Sequence, residues 1–440
     1  MHEEWINKIH EGNTLDVLKK MPSNFVDCVI TSPPYWSLRV YETNPQVWDG
    51  DPKCEHEWEK NIGTENKDNF CSKCGAWKGE LGLEKDFADY IYHLCSIFDE
   101  VKRVLKKTGV IYVNLGDTYF GGCGGPQSWE RKERNIEWFE KSERNPHRHD
   151  KGLLPSKSLC QIPSRFAIEM SNRGWILRNE LIWWKRNSMP SSVKDRYTVD
   201  YEKIFFMVKN RKYFFEQQRE ERKDTWGGRW GKMPKGNRPN AMIGRKEMTK
   251  EEFEDAYQDR NKRCVWDVTT ESFSESHFAV FPEALVLPMI KSGTPRFICK
   301  KCGKPREKII ETEVINEGDF EGRTHSTEEQ RIGSMRPPPY RRETKKKEIG
   351  YTDCGCGEEF IPGIVMDIFC GSGTTCKVAK DLGLNFIGVE LNPDFVKMSN
   401  ERIAGFEKKD WEAKREHKPL TDILKQSKID YNATNNDKKI

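Results

Sequence analysis

No apolar run in the 440-residue sequence approaches the roughly 20 residues that a membrane-crossing helix needs, and no charged, apolar leader precedes Trp5. The expectation is a cytoplasmic chain with no membrane partner. An excess of one charge is missing too: 74 Lys and Arg against 70 Asp and Glu leave +4, too little to name a partner. The G-x-G-x-x-G fingerprint does not occur, which removes the commonest glycine signature of a nucleotide turn. Disorder of the whole chain is excluded as well, because 35% hydrophobic residues at this length supply a core of ordinary size.

Cysteine, by contrast, is plentiful: fourteen in a chain without secretory signals. Seven of them, with one histidine, fall into two groups at metal-ligand spacing. Cys54, His56, Cys71 and Cys74 read C-x-H then C-x-x-C; Cys299, Cys302, Cys354 and Cys356 read C-x-x-C then C-x-C. In a reducing compartment such sets hold structural zinc in a closed tetrahedral shell, with free thiols or a disulfide as the alternatives. Cys28, Cys95, Cys123, Cys160, Cys264, Cys370 and Cys376 are scattered and read as small core or loop residues.

Charge becomes informative when it is local. Lys209 to Lys246 carries twelve Lys or Arg against four Asp or Glu, interleaved with Trp226, Trp230 and glycines, which suits a polyanion-binding surface. A solvated, loosely ordered insert is the plainer alternative.

Hydrophobic periodicity orders the rest. Trp5 to His10 reads as an edge strand, Leu15 to Met21 as a short helix, and Phe25 to Ile30 as a buried strand. Asp86 to Lys106 has helical apolar spacing, stopped by Gly109, and Val110 to Leu115 is a strand. Strand, helix, strand argues for a crossover in a mainly parallel sheet. Phe120 to Ser158 has no period and is expected to be a mobile loop. Pro163 to Arg173 reads as a helix, and Leu177 to Trp184 with Lys203 to Val208 as a hairpin, with Lys185 to Val193 a loop beside the active face. A polar helix is expected over Lys250 to Asp259, a return to the core at Val265 to Val268, and a helix opening at Pro282. Glu311 to Lys347 is expected to be a long loop. Gly363 to Ile368, Thr374 to Leu382, Asn385 to Val389 and Pro393 to Ile403 alternate strand and helix, and past Phe406 the charged tail has no pattern. The fold class is α/β: a Rossmann-like mixed, mainly parallel sheet with helices on both faces, plus a recognition insert and two small zinc-binding insertions. Four regions follow: 1–208, 209–264, 265–406 and 407–440.

Two strand ends carry the chemistry. Thr31, Ser32, Pro33, Pro34, Tyr35 and Trp36 follow the buried strand, where a sheet edge opens into a loop. The prolines lack N–H donors and hold the Pro33 carbonyl stiffly; Ser32 adds a second acceptor. Two adjacent acceptors suit an exocyclic NH2 group, and accepting both of its protons favours a pyramidal nitrogen whose lone pair can attack a methyl group. Tyr35 and Trp36 offer flat faces for stacking on a base. A Pro-rich turn followed by core aromatics is the competing explanation. The second motif runs from Asp367 through Phe369, Cys370, Gly371, Ser372 and Gly373 to Thr374 and Thr375, a strand turning through two glycines into a helix. Glu390, at the end of the next strand, is placed to take ribose hydroxyls. Alone, this is a tight strand-to-helix turn.

Together, TSPPYW, DIFCGSGTT and GVELNP resemble the amino-methylating DNA methyltransferases that use S-adenosylmethionine, over most of residues 5 to 405. The order, catalytic motif first and cofactor motif last with the basic segment between, is similar to the beta class, and the SPPYW form to its N4-cytosine branch. The resemblance implies transfer of a methyl group to cytosine N4 in a flipped-out base. N6-adenine methylation and a catalytically inactive zinc-bearing nucleic-acid binder are the alternatives; C5-cytosine methylation is disfavoured because no Pro-Cys nucleophile motif occurs. It implies that Ser32 and Pro33 bind the amino group, with Pro34 and Tyr35 completing the catalytic loop and Tyr35 stacking on the base. Phe369, Gly371 and Gly373 would form the cofactor turn, and Thr374 and Thr375 would hold the methionine carboxylate. Glu390 would hold the ribose and Asp367 would orient the methionine amino group through the loop, while FPEAL sets Phe281 and Pro282 near the ligand. Cys370 stands where alanine or glycine is more usual, and Asn13 where relatives often carry Asp. Duplex DNA contacts are expected from Trp36, Arg211, Lys212, Arg229, Lys232, Lys235 and Arg238, in a monomer or homodimer with a possible cognate restriction endonuclease. Such an enzyme would be nucleoid-associated, in a prokaryote or encoded by a phage.

Overall fold

A computed structural model of the protein describes residues 2–38, 43–58, 70–120, 154–221, 259–270, 281–316 and 343–405. The chain opens with β1 (Lys8–Glu11), α1 (Thr14–Lys20) and β2 (Val26–Thr31). A short ladder of β3 (Gln46–Trp48) and β4 (Trp77–Gly79) precedes α2 (Phe87–Val104) and the long β5 (Leu105–Leu115). Then α3 (Ile162–Asn172) leads into the hairpin of β6 (Ile176–Trp184) and β7 (Tyr201–Val208). The pair β8 (Arg219–Glu221) and β9 (Asp259–Asn261) brackets residues 222–258, before β10 (Val265–Asp267) and α4 (Glu283–Gly293). The last part holds β11 (Ile298–Cys299), β12 (Lys308–Asn316), β13 (Glu343–Tyr351), β14 (Phe360–Ile361) and β15 (Ile364–Asp367), then α5 (Thr374–Asp381), β16 (Asn385–Glu390) and α6 (Pro393–Ala404).

Eight of these strands form one sheet in the order β1-β16-β15-β2-β5-β7-β6-β10. Both pairings of β7 are antiparallel and the remaining pairings are parallel. This is the mixed, mainly parallel sheet expected. Period-two alternation divides the core between its two faces. Val29, Ile111, Val113, Phe205 and Met366 join a cluster with α1, α2 and α3. Their neighbours Cys28, Ile30, Val110, Tyr112, Phe206 and Val365 join a second with α4 and α5. All six residues of β2 are buried, so it runs as a central strand with no solvent face. The helix α2 starts where the Asp86 carboxylate accepts from the Ala88 N–H at 2.7 Å, and it buries Tyr90, Leu94, Phe98 and Val101 along one stripe.

The expected loop over Glu311 to Lys347 is corrected: its two ends belong to an antiparallel ribbon, β12 with β13. The register opposes Glu311 to Lys347 and Glu313 to Lys345. Of the polar helix expected over Lys250 to Asp259, Asp259 opens a strand instead and the rest lies outside the described residues. Most of the expected loop from Phe120 to Ser158 also lies outside them, as does the tail past Phe406.

Candidate active site

Because β2 and β15 are adjacent and parallel, with Cys28 opposite Val365 and Val29 opposite Met366, the two strand-end motifs emerge side by side. Asp367 locks them together. Its Oδ1 accepts from the Thr31 hydroxyl at 2.7 Å and from the Phe369 N–H at 3.1 Å, and its Oδ2 from the Thr375 hydroxyl at 2.8 Å. Thr31 and Asp367 are 336 residues apart in the chain. Burial pushes the Asp367 carboxyl up to about 6, against the pull of these donors.

Above this lock lies a cleft of about 670 Å³, within the usual range for small-molecule sites. Ser32, Pro33, Pro34 and Tyr35 line it together with Phe369, Gly371, Thr374, Glu390 and Phe281. The Pro34 carbonyl is taken by the Tyr90 hydroxyl at 2.7 Å, while no donor among the described residues takes the Pro33 carbonyl. Tyr35 Oη donates to Glu202 Oε2 at 2.8 Å. Asn114, buried at the end of β5, donates through Nδ2 to both of them, and its Oδ1 has no partner among the described residues.

The glycine turn is built to close tolerances. Gly373 has φ +79°, and a Cβ there would sit 3.0 Å from Ser399 Cβ. Ser399 itself donates to the Gly371 carbonyl at 2.6 Å. Arg402 on α6 donates to Thr374 Oγ1 at 2.8 Å and to Glu283 Oε1 at 2.9 Å, tying the turn to α4 behind Phe281. Glu390 accepts from the Gly371 N–H at 2.7 Å through Oε2, and from the Leu391 and Asn392 N–H groups through Oε1. Burial raises its carboxyl despite those three donors. A carboxylate held this firmly at a cleft lined by Phe281, Phe369 and Leu391 fits a ribose with its base between apolar faces. Asn13 also lines the cleft, but its side chain caps α1 through the Leu15 and Asp16 N–H groups.

Several expected site residues do not line the cleft. Trp36 is 3% exposed, donates to the Glu84 carbonyl and packs edge-on to Phe87, so it belongs to the core and cannot stack on a base. Asp367 and Thr375 are buried in the lock, and Gly373 and Pro282 shape the backbone behind the wall. Arg211 and Lys212 are exposed, but β7 is antiparallel: Lys203 pairs with Leu115 at the cleft edge and Val208 with Val110 towards the other. Both cations therefore leave the sheet at the edge opposite the cleft. Arg229, Lys232, Lys235 and Arg238 lie outside the described residues. Glu202, Asn114, Arg402 and Ser399 were not singled out from the sequence, since nothing in their spacing marks them.

Both cysteine groups converge, each with its four ligand atoms within 4.8 Å of one another. In the first, Cys54 Sγ lies 3.9 Å from Cys71 Sγ, and Cys74 Sγ 3.4 Å from His56 Nδ1. The edges of a zinc tetrahedron with ordinary bond lengths are about 3.8 Å for S to S and about 3.5 Å for S to N, so the donor set and its spacing fit. A knot around the buried His93 connects this group to the SPPYW loop: His93 lies between Glu84 Oε1 at 3.0 Å and Asp49 Oδ2 at 2.8 Å, and stacks on Trp48.

A family model described as DNA methylase, covering the N6 and N4 types, matches residues 26–297 and 360–401. M.Cfr9I of Citrobacter freundii, a Type II methyltransferase, is 28% identical over 398 residues, which cover 90% of this chain and 87% of that one. M.SmaI of Serratia marcescens, another, is 28% identical over 397 residues, 90% of each. Among solved structures, the PvuII DNA methyltransferase (cytosine-N4-specific) aligns over 92% of this chain and 90% of its own at 14% identity, with a TM-score of 0.44. The matched segments take in both cleft motifs and most of the sheet strands, and the chain belongs to the DNA methylase family that modifies amino groups.

Proposed function

We propose that the protein is a site-specific DNA methyltransferase that moves the methyl group of S-adenosylmethionine to the N4 amino group of cytosine. The observation that carries this is the shared cleft: the Ser32 and Pro33 acceptors and the Glu390 turn line one cavity. S-adenosylmethionine, when bound, supplies an electrophilic methyl group. Glu390, Phe369, Phe281 and the Gly371 turn would hold it. Ser32 Oγ and the Pro33 carbonyl would each accept one N–H of the target amino group, localising its lone pair on nitrogen. Tyr35 would face the flipped base. Serine at the head of the SPPY loop favours cytosine over adenine, and kinship with Type II methyltransferases along nearly their whole length supports a role in a restriction-modification pair.

The test is to incubate DNA with protein and S-adenosylmethionine and analyse its nucleosides by mass spectrometry. N4-methylcytosine is the expected product. N6-methyladenine would transfer the same cleft to the other amino base, and no methylated nucleoside would overturn the reading. Zinc at the two cysteine groups would serve structure alone, since four protein ligands leave no open position.

A further inference from the structure

The cleft contains a polar chain that runs on from Ser32 and Tyr35 to side chains the methyl transfer described above leaves unused. Ser32 Oγ donates to Tyr35 Oη at 3.3 Å, and Tyr35 Oη donates to Glu202 Oε2 at 2.8 Å. Asn114 Nδ2 donates to Tyr35 Oη and to Glu202 Oε2, both at 2.8 Å. Lys185 Nζ pairs with the other carboxylate oxygen, Glu202 Oε1. These side chains come from four separate places in the chain and all line the cleft.

The direction of the bonds follows from chemistry. A carboxylate paired with Lys185 has no proton to give, so Tyr35 must donate to it. With its proton committed and Asn114 on one lone pair, Tyr35 Oη can only accept from Ser32. Ser32 Oγ, having turned its proton inward, presents lone pairs to the cleft. We propose that Glu202 is the positioning residue that makes Ser32 an acceptor for the target amino group and receives, through Tyr35, the proton which that group loses. This rests on the methyltransferase reading given above.

The step balances. The amino nitrogen bonds to the methyl carbon, and the methyl–sulfur bond breaks with its electron pair left on sulfur. The surplus proton on nitrogen moves to Ser32 Oγ as Ser32 passes its own to Tyr35 and Tyr35 its own to Glu202. An exocyclic amine of a base carrying an extra proton is a much stronger acid than a carboxylic acid, so an ion-paired carboxylate is base enough.

The near-isosteric Glu202→Gln tests this. Lys185 then claims the amide oxygen, the amide NH2 faces Tyr35, and the direction of the chain reverses. Single-turnover methyl transfer should fall about 100-fold, the lower end for a lost acid-base group. A second readout needs no cofactor. The wild type should bind a duplex with its normal target base about tenfold more tightly than one whose target base carries a carbonyl in place of the amino group, uracil for cytosine or hypoxanthine for adenine. Glu202→Gln should lose that preference while keeping its melting temperature. Tyr35→Phe, which spares the ring and the Glu202–Lys185 pair, should lose it too, and the double variant should be no worse than either single one. A Glu202→Gln protein with the wild-type rate and preference, or additive losses in the double variant, overturns the relay alone. A wild type that transfers no methyl group overturns the methyltransferase reading and the relay with it. Should Glu202→Gln fail to fold, Tyr35→Phe with wild-type preference overturns the relay.

Discussion

At the scale of single residues, Asp367 shows how one buried side chain can hold two motifs together without lining the cleft between them. Three donors converge on it, yet burial outweighs them and lifts its carboxyl from 3.8 to about 6. The sign of the consequence follows by linkage: the folded state binds the proton more tightly than the unfolded chain, so this contribution to stability is complete below about pH 3.8 and is lost as pH rises through about 6. Measured by urea unfolding across that window, the stability of the wild type relative to Asp367→Asn should fall with rising pH by on the order of a few kcal/mol. A difference that stays flat or grows with pH would remove Asp367 as the group responsible.

At the scale of elements, the glycine turn between β15 and α5 contains two left-handed glycines in different surroundings. Gly373 is left-handed and meets Ser399 of α6, whereas Gly371, also left-handed at φ +53°, has open space where a Cβ would go. The two positions should therefore respond differently. Gly373→Ala must bear the φ penalty and push α6 away, an expected loss of about 1–3 kcal/mol with weaker binding of S-adenosylmethionine by calorimetry. Gly371→Ala bears only the φ penalty, about 1–2 kcal/mol, and should be the milder of the two in thermal unfolding. Equal effects would mean that contact with Ser399 is irrelevant to the turn.

At the scale of the whole molecule, the first cysteine group is attached where it can matter. Its ladder, β3 with β4, carries Trp48 and Trp77 onto the His93 knot, and Glu84 of that knot holds Trp36 at the end of the catalytic loop. The second group lies beside the short β11–β14 ladder, with Cys299 itself in β11. Metal analysis should return about two zinc ions per chain, and a strong chelator should lower the melting temperature by at least a few degrees, reversibly on adding zinc. Cys71→Ser should slow methyl transfer more than Cys302→Ser at equal loss of metal. Less than one zinc per chain would sink the two-site assignment.

The sequence by itself determined the α/β class, most strand and helix cores, both cleft motifs and the two cysteine groups. Those features are local: short apolar runs, helical spacing, proline and glycine at strand ends, and thiols two or three positions apart are written in neighbouring positions. Tertiary structure alone decided which of those residues face the cleft. Trp36 follows Tyr35 directly yet points to the core, because α2 supplies Phe87 and the Glu84 carbonyl lies within reach of its indole. Arg211 and Lys212 leave the sheet at the edge opposite the cleft because β7 runs against both its neighbours; the hairpin with β6 is legible in the sequence, but the pairing of β7 with β5, which sets that edge, is not. Glu202, Asn114 and Arg402 become partners of the motifs only once distant strands and helices are laid side by side, since a hydrogen bond depends on separation in space and not on separation along the chain.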